Sequence, residues 1–382
     1  MSTSTLVDRD DSRARPGAMS NRGRGIERSA GSRLPTLADD LEAVIYALVA
    51  ANKARLFPGE ESAVDIVAVD LGPKKHLNEN RFHHRVTVRY RKGGGRGLLP
   101  LWLKFRPGLD RLFPVLDRYR ERLGGELIPT PYFSWHSENE ETALLASACI
   151  RGTPLRDKLL RAAVLHQTMR LEAVFEAHGV KMRRFHDAFP ASETIYAHEV
   201  VAVVSAAVSA TPYLDAAEKT AVLGHVAQAG SVLAQKALPA VRNHNDWILR
   251  NIVIAPDGAD YLIDCDSMRY RPNWRWYDVA FLLLNIESGQ KWSPLIDLPM
   301  LTRLWRLLWK GYVLGGTPDG LNATELAAVF YLVRLHWLFD GVVRRPNYEV
   351  VLRGSLNRRF LRNLKKSVVA GEFSQLDFLK AN

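Results

Sequence analysis

The stretch Asn243–Ile286, NHNDWILRNIVIAPDGADYLIDCDSMRYRPNWRWYDVAFLLLNI, contains the features that decide the fold of this chain. It begins with a polar loop and ends in an apolar run typical of a buried helix. Between them, Ile252–Ile254 predicts a short strand, Pro256–Gly258 supplies turn residues, and Tyr261–Ile263 predicts the return strand. The stretch therefore predicts a β-hairpin between a loop and a helix.

Oxygen-bearing side chains flank this hairpin on both sides. Asp246 and Asn251 precede its first strand, Asp264 follows its second strand, and Asp266 lies one pleat further on. Because a hairpin returns its second strand beside its start, we expect Asp264 to lie near Asn251 and Asp246. Phosphoryl transfer requires a carboxylate that orients a hydroxyl and accepts its proton, together with oxygen ligands for Mg²⁺. Asp246 suits the first role, and Asn251 and Asp264 suit the second.

The same stretch resembles the aminoglycoside phosphotransferase/choline kinase family, the small-molecule branch of the protein-kinase-like fold. That family carries H-[GN]-D-x-x-x-x-N, then I-D-x-[ED], then Y-D-[LV]-A. The corresponding residues of this chain are His244-Asn245-Asp246 with Asn251, Ile263-Asp264-Cys265-Asp266, and Tyr277-Asp278-Val279-Ala280.

The resemblance implies a role for each of these residues. Asp246 is the expected catalytic base, Asn251 and Asp264 are the expected Mg²⁺ ligands, and Asp278 is a structural anchor behind the loop. We predict that His244 holds the loop by hydrogen bonds. Asp266 is left open as a residue that serves the metal, the fold or neither.

The resemblance also implies an α+β fold of the two-lobed, protein-kinase-like kind. A small antiparallel β N-lobe that binds nucleotide is expected at residues 34–150. A larger, mainly helical C-lobe with the catalytic loop and the acceptor site is expected at residues 151–382. Residues 1–33 are rich in Arg, Ser and Gly, and we predict a disordered basic tail there.

The N-lobe contains the residues expected to meet the nucleotide. Strand patterns at 63–71, 82–90 and 98–105 end near Lys104, which lies where the family places the lysine that contacts the α- and β-phosphates. The family also expects an acid paired with that lysine, on the predicted helix 113–123.

Two acids and one backbone segment complete this expectation. Asp117 and Glu121 lie one turn apart on the same helical face, and both qualify as the partner of Lys104. The segment Arg151–Leu155 resembles the segment that follows the hinge in the family, so the backbone of Ser147 to Cys149 is expected to be the hinge that hydrogen-bonds the adenine edge.

Composition sets the outer limits of the interpretation. A chain of 382 residues with 47% hydrophobic content can bury a substantial core. Cys149 and Cys265 fall in predicted strand regions far apart in sequence, which argues against a disulfide framework or a zinc site and favours a reduced, cytoplasmic setting. No apolar run approaches the length of a transmembrane helix.

The formal net charge of +11 indicates anionic partners. Nucleic acid, an anionic membrane surface and an anionic substrate all fit it, but no nucleic-acid-binding motif appears. A basic cluster near the C-terminus (344–366) is either a solvated face or a contact with a peripheral anionic surface. Arg269, Arg271 and Arg275 either hold an anionic acceptor or form a solvated loop.

The function predicted from these features is ATP- and Mg²⁺-dependent transfer of the γ-phosphate to a hydroxyl of a small molecule. One alternative within the same class is a kinase of lipopolysaccharide-core sugars, because a basic chain suits neutral or anionic acceptors. An alternative from a different class is a non-catalytic, kinase-like binding module with a basic surface.

Overall fold

The fold is described from a computed structural model that covers residues 41–78, 81–136, 143–189, 193–269, 272–287, 298–342 and 365–371, together with Ile296 and Arg362. The chain forms two compact units. The first comprises residues up to Asp117 together with Thr130–Cys149, and the second comprises Arg118–Pro129 together with the residues from Ile150 onward. The predicted basic tail at 1–33 and most of the basic cluster at 344–366 lie outside the described residues.

The first unit is built on one antiparallel sheet of five strands in the order β1-β2-β3-β5-β4. Its strands are β1 (Val64–Asn78), β2 (Arg81–Lys92), β3 (Gly95–Phe105), β4 (Pro131–His136) and β5 (Ala143–Ala148). Two helices precede the sheet, α1 (Leu41–Ala51) and α2 (Lys53–Leu56), and α3 (Phe113–Arg122) contains the boundary at Asp117.

Apolar side chains from α1 and from alternate positions of the strands form the core of the first unit. Ile45 and Val49 of α1 are fully buried, as are Val86, Leu101 and Leu103 of the sheet. The strands extend beyond the predicted ranges, because β2 and β3 stay paired from Phe82↔Phe105 to Lys92↔Gly95 at the glycine turn. Cross-strand pairing therefore continues past the residues whose hydrophobic alternation marks a strand.

The second unit is mainly helical. Its helices are α4 (Leu155–Val164), α5 (Glu172–Asp187), α6 (Ala197–Ala210), α7 (Ala216–Val232), α8 (Trp276–Glu287), α9 (Leu298–Tyr312) and α10 (Ala323–Leu335). The predicted α+β class, with a small antiparallel unit followed by a larger helical one, is confirmed.

Local sequence explains where two of these helices begin. At the start of α7, Asp215 accepts the N–H of Glu218 at 2.8 Å, and Glu218 accepts the N–H of Asp215 at 2.9 Å. Asn322 and Glu325 make the same reciprocal pair at the start of α10. Such capping boxes satisfy N–H groups that have no partner inside the helix.

Two small sheets in the second unit contain the strands of the stretch Asn243–Ile286. The strands are β6 (Thr153–Pro154), β7 (Thr194–Tyr196), β8 (Ala237–Val241), β9 (Ile252–Ile254), β10 (Asp260–Leu262) and β11 (Asn273–Trp274). One sheet has the order β10-β9-β6 and the other β11-β8-β7. The predicted hairpin is present as β9 and β10, with the return strand beginning one residue earlier than expected, at Asp260.

Helices α5 and α9 cross with their backbones in close contact. A Cβ atom added at Gly179 would lie 2.0 Å from the Leu308 carbonyl oxygen, and one added at Gly311 would lie 2.0 Å from that of Glu176. No side chain fits at such distances, so glycine is required at both positions. This crossing fixes α5, whose other residues contact the loop that contains Asp246.

We expect Gly179→Ala to lower the stability of the second unit by about 1–3 kcal/mol or more, because the helices must separate to admit a methyl group. Gly224→Ala in α7 is the matched control, since a Cβ there meets nothing within 4 Å. That control should raise stability by about 0.5–1 kcal/mol through helix propensity. Urea unfolding of the two variants checks the pair, and equal midpoints would contradict the close crossing.

Among the described residues, no helix has both the length and the apolar composition needed to cross a membrane. Cys149 and Cys265 are both free thiols. Cys149 follows the end of β5, and Cys265 begins a short 3-10 helix at Cys265–Arg269, so the prediction that each lies in a strand is wrong.

Candidate active site

The loop His244-Asn245-Asp246 lies between β8 and β9 and is anchored from behind by Asp278. One carboxylate oxygen of Asp278 accepts the His244 N–H at 2.7 Å, and the other accepts the Asn245 N–H at 2.7 Å. Asp278 is fully buried in the first turn of α8. A buried carboxylate that accepts two backbone N–H groups fixes the path of the loop immediately before Asp246.

A buried hydrogen-bond relay supports Asp278 in turn. His186 Nε2 lies 3.1 Å from Asp278 Oδ2, and His186 Nδ1 lies 2.8 Å from the Tyr312 hydroxyl. Burial lowers the pKa of His186, so the ring is neutral, and burial raises the pKa of Tyr312, which keeps its proton. Because a carboxylate only accepts, His186 donates from Nε2 to Asp278 and accepts at Nδ1 from Tyr312.

Asp246 and Asn251 are in direct contact. Asn251 Nδ2 donates to the Asp246 backbone oxygen and to its carboxylate Oδ2, each at 2.9 Å. Asn251 is 3% exposed, whereas Asp246 is only half-buried. The Asn251 amide nitrogen therefore fixes the rotation of the Asp246 carboxylate. The Asn251 amide oxygen, Oδ1, is the atom of this side chain that can bind a cation.

The hairpin brings the backbone of Asp264 to the same place. The Ile263 N–H donates to the Asn251 carbonyl at 2.8 Å, and the Ile263 carbonyl lies 3.2 Å from His244 Nε2. Asp264 follows directly, with a left-handed backbone (φ 64°) that takes the chain out of the strand. The residue next to Asp264 thus contacts both Asn251 and the loop before Asp246, as the hairpin argument predicts.

Asp266 does not occupy a strand position. The left-handed turn at Asp264 ends the extended backbone, and Asp266 lies in the 3-10 helix Cys265–Arg269. Its side chain is buried, with 8% exposed. The expectation that Asp266 lies one pleat beyond Asp264 is therefore wrong, because one positive φ angle reverses the direction in which the following side chains leave the chain.

The donor set suits Mg²⁺. Asn251 and Asp264 supply an amide oxygen and a carboxylate, which are the hard oxygen ligands that this ion prefers. Among the described residues, no group of three His, Cys, Asp or Glu side chains could hold a metal by itself. A magnesium ion that keeps waters and phosphate oxygens in its shell needs only one or two protein ligands, so the residues present fit it.

The candidate nucleotide residues lie in the first unit. Lys104 is on β3 between β2 and β5, opposite His83 and Leu145, and is 9% exposed. Asp117 Oδ1 accepts from Arg55 Nη2 at 2.7 Å, and Glu121 is exposed. Because a lysine buried on a strand is uncommon, its burial distinguishes Lys104 from the solvent-facing lysines of a surface strand.

The predicted hinge lies at the end of β5. Ser147 pairs with Trp102 on one side and with Pro131 on the other. The Cys149 N–H donates to the Pro100 carbonyl at 3.2 Å. That N–H is therefore satisfied within the sheet, so an adenine edge at this segment must use other backbone groups.

Arg275 follows neither of the two alternatives considered for it. It is buried and donates to Asp187 Oδ1 at 2.6 Å, and its Nε lies 3.3 Å from Asp319 Oδ1. Its charge is used inside the second unit, between the end of α5 and the segment before α10. The side chain of Arg269 and the residue Arg271 lie outside the description.

Sequence reasoning missed a second set of residues that hold the loop. Trp247, the residue after Asp246, is fully buried and donates to His178 of α5, which contacts Asp260 of β10. Asn285 of α8 accepts the Leu249 N–H at 2.9 Å. The sequence trace of this set is one large aromatic residue directly after His244-Asn245-Asp246, because its members are separated by 36 to 82 residues.

Comparison with solved structures gives several small-molecule kinases as distant likenesses. An amicoumacin kinase in complex with AMP-PNP, Ca²⁺ and Ami is 14% identical over 85% of this chain and 93% of that chain, with a TM-score of 0.45. Aminoglycoside phosphotransferase APH(4)-Ia, in a ternary complex of a thermostable mutant with ADP and hygromycin B, is 14% identical over 80% of this chain and 95% of that chain, with a TM-score of 0.47.

A Plasmodium vivax ethanolamine kinase is 10% identical over 85% of this chain and 88% of that chain, with a TM-score of 0.44. No protein-family model and no curated protein matches the sequence. The function proposed below therefore rests on the residues of the site.

Proposed function

We propose that the protein is a phosphotransferase that moves the γ-phosphate of ATP to a hydroxyl of a small molecule, with Mg²⁺. The observation that carries this proposal is the geometry around Asp246. Its carboxylate is held by Asn251, its loop is held by Asp278, and the hairpin pairs Ile263, the residue before Asp264, with Asn251. A loop that serves only as a connection has no use for such an arrangement of buried acids and amides.

Asp246 is the proposed base. Its carboxylate accepts the proton of the acceptor hydroxyl as that oxygen forms its bond to the γ-phosphorus and the bond between the γ-phosphorus and the bridging oxygen of ADP breaks. Because the transition state of phosphoryl transfer is loose, the residue contributes chiefly by orienting the hydroxyl. The hydrogen bond from Asn251 to Oδ2 holds the Asp246 carboxylate in place before substrate binds.

Asn251 and Asp264 are the proposed ligands of Mg²⁺. When bound, the ion neutralises the negative charge of the phosphates and stabilises the charge that develops on the leaving oxygen. Asn251 holds its amide in one orientation through Asp246, so its oxygen is presented without further rearrangement. Asp264 supplies the full negative charge that a divalent cation requires.

Lys104 is the proposed contact to the nucleotide phosphates. A charged lysine in a largely buried position interacts with phosphate more strongly than one exposed to water. Either Asp117 or Glu121 is the proposed partner of this lysine. The backbone from Ser147 to Cys149 is proposed to border the adenine. The domain limits predicted from the sequence, with nucleotide binding before residue 151 and the acceptor site after it, are part of the same proposal.

We infer a neutral or anionic acceptor, such as a sugar or a sugar phosphate, because the chain has a net charge of +11 and polycationic acceptors need an acidic pocket. Contact with a peripheral anionic surface and a cytoplasmic location stay predictions from the sequence.

We expect the full-length protein to transfer radiolabel from γ-labelled ATP to at least one acceptor in a panel of sugars, sugar phosphates, lipopolysaccharide-core sugars, amino alcohols and aminoglycosides. We also expect millimolar Mg·ATP to raise the midpoint of thermal unfolding, since a ligand that binds only the folded state stabilises it. A protein that shows neither effect would instead be the non-catalytic binding module. Stabilisation by Mg·ATP without transfer to any acceptor would show that the protein binds nucleotide and that its acceptor is not among the compounds of the panel.

A further inference from the structure

A buried polar triad formed by His178, Trp247 and Asp260 lies beside the loop that contains Asp246. The Trp247 indole Nε1–H donates to His178 Nε2 at 2.9 Å, and His178 Nδ1 lies 2.7 Å from Asp260 Oδ2. The other carboxylate oxygen of Asp260 accepts from Lys181 Nζ. All of these residues lie in the second unit, and they connect α5, β10 and the residue that follows Asp246.

The protonation of His178 follows from its neighbours. An indole N–H can only donate, so His178 Nε2 must present its lone pair to Trp247. The proton of the neutral ring is therefore on Nδ1, and it is donated to Asp260. Although burial raises the pKa of Asp260, hydrogen bonds from His178 and Lys181 hold that pKa well below its usual range, so the acceptor is a carboxylate.

Burying the polar side chains of this triad costs free energy that apolar side chains would not cost. His178 and Trp247 are both fully buried, and Asp260 is 7% exposed. An unpaired polar group costs free energy in such a place, whereas an apolar residue of similar size would pack there at no such cost. Trp247 also packs edge-on against Phe185, with ring centroids 5.1 Å apart. The rings of His178, His186 and His244 also pack against the indole, with centroid distances of 5.7, 5.8 and 5.9 Å. The hydrogen bond to His178 adds the directional contact that fixes the position of Nε1.

We propose that His178 is a positioning residue for catalysis: by fixing the Trp247 indole through a tautomer set by Asp260, it fixes the backbone that presents the Asp246 carboxylate. This inference rests on the proposed function, in which Asp246 orients the acceptor hydroxyl. Trp247 and Asp246 share a peptide unit, so a repacked indole that displaces the Trp247 backbone also displaces Asp246. Displacement of a reacting group by about 1 Å can lower a rate by about 100-fold, so small rotations matter.

Two conservative variants separate positioning from general stability. In His178→Gln the terminal amide is attached one carbon further along the side chain, so its oxygen can reach the place of Nε2 and accept from Trp247. In His178→Asn the amide nitrogen is bonded to Cγ, as Nδ1 is in histidine. It can therefore donate to Asp260, but the shorter side chain cannot reach Trp247. We expect kcat to fall about 10- to 100-fold in His178→Asn. In His178→Gln we expect a loss below about threefold, with KM for ATP within about twofold of the wild type in both variants.

The other side of the hydrogen bond gives a second measurement. Trp247→Phe removes the N–H donor while keeping an aromatic ring, and it should lower kcat by a factor similar to that of His178→Asn. The double variant His178→Asn/Trp247→Phe should lose no more than the worse single variant, because both changes remove the same interaction. Multiplying losses would show that the two residues act independently and would overturn the proposal.

A readout that needs no activity is the exchange of the Trp247 indole proton with D₂O, followed by NMR and assigned by its loss in Trp247→Phe. We expect exchange in His178→Asn to be faster than in the wild type by about tenfold or more, and protection to persist in His178→Gln. His225→Gln is the control, because the His225 ring lies 3.2 Å from the Val369 carbonyl oxygen and is not part of the triad. That variant should leave both kcat and indole exchange unchanged.

The outcomes distinguish this proposal from the proposed function. An active wild type with His178→Asn equally active would overturn the positioning role alone. Equal losses of kcat in His178→Asn and His178→Gln, in proportion to their losses of thermal stability, would also overturn it. A wild type that neither binds Mg·ATP nor transfers phosphate would overturn the proposed function, and the positioning role with it, even where the indole proton is protected.

Discussion

We expect Asp246→Asn to lower the turnover of phosphate transfer by about 10²- to 10⁴-fold, the range for removal of a general base. The substitution keeps the size and shape of the side chain but removes its charge and its capacity to take a proton. Asn251 Nδ2 can still donate to the amide oxygen in place of Oδ2, so the loop keeps its path. We therefore expect the thermal unfolding midpoint to stay within about 3 °C of the wild type.

The measurement combines initial rates with a thermal-shift titration of Mg·ATP. Stabilisation by Mg·ATP should persist in Asp246→Asn, because the nucleotide is held by other residues. Asp257→Asn is the matched control: Asp257 lies in the exposed turn of the same hairpin, where its Oδ1 accepts the Ala259 N–H at 3.0 Å. A purified Asp246→Asn protein with near-normal turnover would show that another group performs the chemistry.

We expect Asp278→Ala to lower both the stability of the second unit and the activity. Three donors lose their acceptor at once: the buried His244 N–H and His186 Nε2, and the part-buried Asn245 N–H. An unsatisfied buried polar group costs about 1–3 kcal/mol. The sum is a large fraction of the stability of about 5–15 kcal/mol that is typical of a domain, so we expect partial or complete unfolding of the second unit.

Asp278→Asn should have an intermediate effect. Its amide keeps one oxygen acceptor but turns an NH₂ donor toward a second donor of the loop, so the loop shifts while the fold survives. We expect turnover to fall at least about tenfold at a measurable loss of stability, because Asp246 is displaced with the loop.

Asp215→Ala provides the comparison for both Asp278 variants, because it removes a carboxylate that accepts one exposed backbone N–H at the start of α7. The loss there should be about 1 kcal/mol, as for other helix caps. Urea unfolding of the series checks the order. A loss in Asp278→Ala no larger than in Asp215→Ala would contradict the anchoring role.

The sequence predicted the parts of the site that depend on local order. The loop, the turn and the hairpin between Asn251 and Asp264 follow from residues that are close in sequence, and the hydrogen bond from the Ile263 N–H to the Asn251 carbonyl is the contact that a tight hairpin demands. Asp278 was predicted as an anchor from the family resemblance, and the structure shows the two N–H groups that it holds. The position of Asp266 was predicted wrongly, because nothing in the sequence marks the positive φ angle of Asp264.

Contacts between distant segments could not be predicted in the same way. The contact of Asp117 with Arg55, for example, depends on how a helix packs against a residue 62 positions earlier. Arg275 was considered as an acceptor ligand or a solvated residue, and it is instead buried between Asp187 and Asp319. Periodicity reports which face of an element is apolar, but it does not report which polar side chains from other elements will meet there.

Taken by itself, the sequence determined the hairpin that follows the polar loop and singled out Asp246, Asn251 and Asp264 as the residues of interest, because short-range pairing and turn chemistry act between neighbours in the chain. The α+β class was predicted from the family resemblance of Asn243–Ile286. Only the tertiary structure showed which groups hold that loop: Asp278 of α8 accepts the N–H groups of His244 and Asn245, and His178 accepts the indole N–H of Trp247. Those contacts join residues 34 and 69 positions apart, and they form because buried polar groups must find partners wherever the packing of the helices brings them together.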